Sequence, residues 1–204
     1  MIRPLAATML ALLPCGAAGA SVPPATFLDA FVEACLDEYR DPDARDAAIA
    51  AAGWRPVADT ADPMLADLMA ASREALADAE SEDGTTGSVA VFARPLAGFE
   101  TFLVTTELDM PSGTDWEVDL LGCYLYDFTA DLPLDPDRIT QHFGEGPAET
   151  QGQDGIIIAQ VWNLEKIEGV WELRSTFIPE GSPASSITGF SGRVLSVTTS
   201  WEEP

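Results

Sequence analysis

Apolar residues recur every third or fourth position in the first part of the chain and every second position in the rest. Phe27, Phe31, Cys35 and Tyr39 are spaced by four and flanked by Leu28, Val32 and Leu36, while Asp29, Glu33 and Asp37 mark the wet side. That stripe predicts an amphipathic helix with Cys35 facing the core. Thr26 is its expected cap, with Asp29 three residues on in a near capping box. Asp-Pro occurs at Asp41-Pro42, Asp62-Pro63 and Asp135-Pro136. Asp can cap a helix whose first residue is Pro, so each pair predicts a helix start. The first opens an Ala-rich helix to about Ala52, with Gly53 as a left-handed stop and Trp54 packing back. The second opens Pro63–Ala79, with Met64, Leu65, Leu68, Met69 and Leu76 on one face. Glu80–Gly87 is expected to be a polar loop where the periodicity changes.

From Ser88 onward the pattern is that of strands. Val89–Arg94 and Phe99–Leu108 are joined through Pro95–Gly98, and Pro111–Thr114 is expected to turn. Trp116–Phe128 is the longest and most apolar stretch. Val118, Leu120, Tyr124 and Tyr126 fall on one side of it, and Leu121, Cys123 and Leu125 on the other. Both sides are apolar near the middle, which predicts a central strand covered on both faces. Helices are expected over the Cys123 side; the Tyr side meets either core or a ligand. Asp135–Phe143 is a short helix stopped by Gly144, followed by a loop to Gly155. Gly155–Leu164 and Gly169–Ile178 form an expected hairpin around Glu165–Glu168. Pro179–Ser185 is a loop, and Ile187–Trp201 is a last strand or pair, bent near Gly189 or Gly192. Helices followed by strands predict an α+β fold: an N-terminal helical layer packed on a mainly antiparallel sheet of about six strands.

The start of the chain changes the reading of the cysteines. Residues 1–20 have the form of a signal peptide, with Arg3, an apolar run from Leu5 to Leu13, and Ala18-Gly19-Ala20 before Ser21. The run is too short for a membrane anchor, and a lipoprotein attached at Cys15 fits the flanking residues poorly. Residues 21–204 then form one domain, exported to the periplasm or secreted, with no membrane span after cleavage. Cys35 and Cys123 remain. In an oxidising compartment they are expected to form a disulfide pinning the first helix to the central strand.

Charge and motifs narrow the function. The 204 residues carry 34 Asp and Glu against 10 Lys and Arg, a net charge of −24. Such a surface repels nucleic acid; it suits either solubility or a basic partner. Two cysteines and one histidine, His142, leave no zinc constellation, and no phosphate-binding glycine motif occurs. Acidic stretches at Asp41–Asp46 and Glu80–Asp83 do not match a calcium loop. No cofactor is expected. His142, at a helix end beside Phe143, reads as structural. Carboxylates on or near strands, Glu117, Asp119, Asp127 and Glu172, leave room for a cofactor-free hydrolase that works with two acids. Trp116, Tyr124, Tyr126, Trp162 and Trp171 all fall in predicted strands, joined there by Phe177. Gathered on one face, they would make a cup for a small apolar ligand or a surface for a partner protein.

The Ala-rich leader, Phe31-Val32-Glu33-Ala34-Cys35-Leu36, the Ala51–Trp54 helix end and a second Cys before Tyr124 together resemble small exported alphaproteobacterial proteins of unassigned function. The resemblance implies a periplasmic setting and no activity. The expectation is therefore an exported, acidic, non-catalytic binding or interaction protein. A cofactor-free periplasmic hydrolase and a structural envelope component are the alternatives.

Overall fold

The computed structural model describes residues 21–36, 41–110, 118–144, 146–147, 149–162 and 170–201, with backbone alone at residues 83, 118, 119, 171, 200 and 201. The expected leader, Tyr39, the Pro111–Thr114 turn, Trp116, Glu117 and the Glu165–Glu168 turn lie outside the described residues.

The helices are α1 (Pro24–Cys35), α2 (Pro42–Ala51), α3 (Pro63–Asp83), α4 (Pro136–Phe143) and α5 (Ser185–Thr188). All three Asp-Pro pairs start helices as expected. Asp41 Oδ1 accepts from the N–H groups of Asp43 and Ala44, Asp62 Oδ1 from Met64 and Leu65, and Asp135 Oδ1 from Asp137. Each bond satisfies a donor that the first helical turn leaves open. α1 departs from expectation: its cap is Pro23, with no side-chain cap bond, and Thr26 lies inside the first turn. Two prolines preset the backbone there, so no capping hydroxyl is needed. α3 continues through the expected acidic loop to Asp83 and stops at Gly84. Ala, Glu and Asp carry it onward, because nothing before Gly84 breaks a helix.

The strands are β1 (Arg55–Pro56), β2 (Thr86–Leu96), β3 (Phe99–Met110), β4 (Val118–Asp127), β5 (Glu149–Gln153), β6 (Ile157–Trp162), β7 (Val170–Ile178) and β8 (Gly192–Trp201). They form one antiparallel sheet in the order β1-β2-β3-β4-β8-β7-β6-β5. The sheet thus has eight strands rather than about six. The two missed strands are its edges: β1 is two residues long, and β5 is Glu-Thr-Gln-Gly-Gln, exposed throughout. Short polar edges resist pairing with other chains, and for the same reason they carry no apolar alternation to read. β2 and β3 meet across Ala97-Gly98, both at positive φ (51° and 90°). That is the two-residue hairpin turn whose twist matches the strands, and a glycine makes its second position cheap.

Two meanders, β1–β4 and β5–β8, join where β4 pairs with β8, so β4 is central as expected. The Cys123 side holds Phe27, Phe31, Ile49, Leu103, Leu125, Ile139, Trp162, Leu173 and Leu195 in one core, under α1, α2 and α4. The Tyr side holds a second core of Leu65, Met69, Phe102, Tyr126, Phe128, Phe190 and Val194, under α3 and the segment around α5. The helices are therefore not one N-terminal layer. α3 crosses to the opposite face, and α4 and α5 come after the first strands. Among the described residues no helix is long and apolar enough to cross a membrane.

α1 is fixed to β4 at both ends. Cys35 and Cys123 form the expected disulfide, with Cα atoms 5.6 Å apart, inside the range that a disulfide spans. At the other end Val22, wholly buried, donates its N–H to Asp127 Oδ2 (3.2 Å) and accepts at its carbonyl from Arg193 Nη2. Arg193 also binds Asp127 Oδ2 at 2.8 Å, and its guanidinium lies 4.6 Å from the centre of the Phe27 ring. Thr129 donates both N–H (3.1 Å) and hydroxyl (2.7 Å) to Asp127 Oδ1.

Two outcomes test these anchors. Closing an 88-residue separation is worth roughly 4–5 kcal/mol in the chain-entropy model, so reduction should lower the calorimetric Tm sharply; an unchanged melt would remove the staple from the account. Arg193→Met leaves the Asp127 carboxylate buried without its cation and should cost about 3–5 kcal/mol in denaturant unfolding.

Candidate functional site

Of the five aromatics expected to share a face, the three with described side chains, Tyr124, Tyr126 and Trp162, divide between the two faces of the sheet. Trp162 is fully buried in the Cys-side core, with its indole Nε1 lacking a hydrogen-bond partner. Tyr124 and Tyr126 are on the other side. The cause is register: Trp162 pairs with Leu173, and Leu173 with Val197, the partner of Cys123. Trp171 lies in β7 at a register shift between Val170 and Glu172, and its side chain is outside the description. Phe177 pairs with Arg193, the partner of Asp127, so it too belongs to the Cys side.

Tyr126 is core. It packs at 5.6 Å from Phe128 and edge-on at 5.4 Å from Phe190, and Phe102 extends the cluster. Burial, then the neighbouring Tyr124, pushes its phenol well above the ordinary range. Tyr124 remains half-buried on the sheet surface. Its ring lies along its own strand, over Gly122. A Cβ on Gly122 would sit 2.6 Å from Tyr124 Cε2 and 2.8 Å from its hydroxyl, and would also strike Thr106. Glycine is favoured at that position by this close approach of two side-chain ends rather than by backbone angle.

Among the acids singled out from the sequence, Asp127 is structural: its two oxygens accept from Val22, Arg193 and Thr129. Glu172 is half-buried and paired with Arg174, with N···O distances of 2.8 and 3.3 Å. The side chain of Asp119 is outside the description. By register, Asp127 and Glu172 fall on opposite faces of the sheet and do not converge on one another.

The largest cavity among those described, about 520 Å³, lies on the Cys side in a groove between α1, α4 and the end of β2. Thr26, Asp29 and Glu33 line it from the outer ridge of α1, spaced three and four apart so that they share a face. Arg94 and Leu96 form its floor, and His142 comes from the last turn of α4. Arg94 donates to Glu33 Oε2 (3.0 and 3.1 Å) and to the Ala52 carbonyl at the end of α2, and stacks on Trp54 with 4.7 Å to the ring centre. Asp29 and His142 are exposed. His142, expected at a helix end in a structural role, is in the last turn of α4. It sits edge-on to Phe143 (4.7 Å) as well as in the groove wall. Periodicity showed Asp29 and Glu33 as the wet side of α1, but nothing in it showed what they would face.

Among the described residues no group of three or more His, Cys, Asp or Glu is placed to hold a metal ion. The fold and groove define a class: an α+β protein with one antiparallel sheet between two helical covers and an open acidic groove. Compared with family models, curated proteins and solved structures, the chain matches none.

The Tyr126 placement has a consequence at high pH. Below about pH 10 the phenol is neutral both folded and unfolded. Above it, the unfolded chain ionises first and the buried phenol resists, so stability should fall as pH rises. Tyr126→Phe should flatten that fall in melts taken between about pH 9 and 11; an identical alkaline profile would place the phenol in water.

Proposed function

We propose that this is an exported, acidic binding protein that holds a cationic group of a partner protein in the α1–α4 groove. The observation that carries the reading is the α1 ridge. Asp29 and Glu33 line the largest described cavity, in a chain with a net charge of −24. Arg94 takes up Glu33, and among the described residues Asp29 is a carboxylate of the groove with no such partner. A Lys or Arg side chain entering there meets Asp29 and the Thr26 hydroxyl, with Leu96 beneath its aliphatic stem. The long-range field adds to the encounter rate. The disulfide and the absence of a membrane-crossing helix among the described residues are compatible with export. The hydrolase alternative has less support, since Asp127 is committed to Arg193 and backbone groups, Glu172 to Arg174, and Glu33 to Arg94.

Titration with tri-lysine and tri-arginine peptides tests this reading. Binding should shift amide signals of α1 and α4, weaken as salt is raised, and fall about tenfold in Asp29→Asn, a loss of about 1.4 kcal/mol. Shifts spread over the whole acidic surface, or an affinity indifferent to Asp29, would reduce the groove to a bystander.

A further inference from the structure

Among the described residues, the helices and loops that pack on the Tyr side of the sheet cover only part of its length. The first turns of α3 (Leu65, Leu68, Met69) and the segment from Ala184 to Phe190 close one end. At the other end Val89, Thr106, Tyr124, Glu172, Arg174, Ser196 and Thr198 are all half-buried. Register aligns them in two rows across the strands. Thr106, Gly122, Thr198 and Glu172 form one row; Tyr124, Ser196 and Arg174 form the next. The ring of Tyr124 reaches back over Gly122, so its hydroxyl enters the first row between the two threonines. The outcome is a line of hydroxyls ending in a carboxylate, one group per strand at about 4.8 Å, beside an aromatic ring laid on the sheet.

We infer that this half of the sheet face is a second binding site, for a neutral sugar chain. A sugar ring presents an apolar C–H face and a rim of hydroxyls, each of which both donates and accepts. Tyr124 supplies apolar ring surface, and Thr106 and Thr198 supply two-way hydroxyls. Glu172 and Arg174, bonded to each other at 2.8 and 3.3 Å, keep lone pairs and N–H groups side by side, a match for two adjacent hydroxyls. The strand spacing is close to the repeat of a hexose chain. A protein partner would call for an apolar centre, and here hydroxyl and charged groups occupy it. Phosphate-bearing ligands are opposed by the charge of −24. The site is on the opposite face from the α1–α4 groove and does not depend on that reading.

The test uses the oxidised full chain and uncharged hexasaccharides of glucose and of N-acetylglucosamine in saturation-transfer and amide-shift titrations. At least one should bind at millimolar concentration or below, with shifts centred on residues 106, 122–124, 172–174 and 196–198. Glu172→Gln removes a half-buried surface charge without opening the core, so it should weaken binding about tenfold with an unchanged melt. Gly122→Ala keeps both side chains but displaces the Thr106 hydroxyl and the Tyr124 ring, and should weaken binding while the far-UV spectrum stays native. No binding by either sugar, or equal binding in both variants, would overturn the assignment.

Discussion

The structure depends on one helix being riveted twice to one strand. Residues 123 and 127 share a face of β4, about 13 Å apart at the rise of a strand. Cys123 holds the end of α1 through Cys35, and Asp127 holds its start through Val22 and Arg193. Between these points α1 runs back along the strand and lays Phe27, Phe31 and Ala34 into the core. The two rivets differ in kind. The covalent one limits the unfolded chain. The ionic one is buried and owes its place to geometry: both Asp127 oxygens and the Val22 backbone find partners through Arg193 Nη2 and Thr129, while Arg193 Nε is left without one, so loss of any member strands a further polar group.

The same economy of cations runs through the whole helical cover. Arg45 on α2, almost wholly buried, reaches Glu107 on β3 at 2.7 Å as well as its neighbour Asp46. Arg94 on β2 reaches α1 and the end of α2. With Arg193, three of ten basic residues act as ties between layers instead of surface charge. Guanidinium suits this use: it has several fixed donors and packs on rings, as Arg94 does on Trp54 and Arg193 on Phe27. Drawing these cations inward leaves the exterior more uniformly acidic than composition alone conveys, and the groove inherits that field.

Covering both faces of the sheet also divides the labour between them. On the Cys side the helical ridge and the strand ends leave a groove rimmed by carboxylates. On the Tyr side α3 buries only its first turns, so the sheet itself remains accessible around Tyr124. One surface is curved and charged; the other is flat and rich in hydroxyls. Both are set on regular elements rather than on loops, which keeps their side chains at fixed spacing.

Much of this was legible in the residues. The Asp-Pro starts, the Gly53 and Gly144 ends as seen in the backbone, the centrality of β4 and the Cys35–Cys123 bond follow from local rules: capping chemistry, left-handed stops, alternation, and two cysteines with one pairing. The Gly84 end was not legible, since the acidic residues before it suggested a loop. Edge strands β1 and β5 were not legible, because an edge needs no apolar alternation. Nor was the side of the sheet on which Trp162 falls. Alternation assigns a residue to one of two faces within its own strand, but only the pairing register through β7 and β8 relates that face to the face of Tyr124. The crossing of α3, the inward turn of Arg193 and the meeting of α1 with His142 share that reason. Each is a contact between segments far apart in the chain, selected by packing that no local pattern encodes.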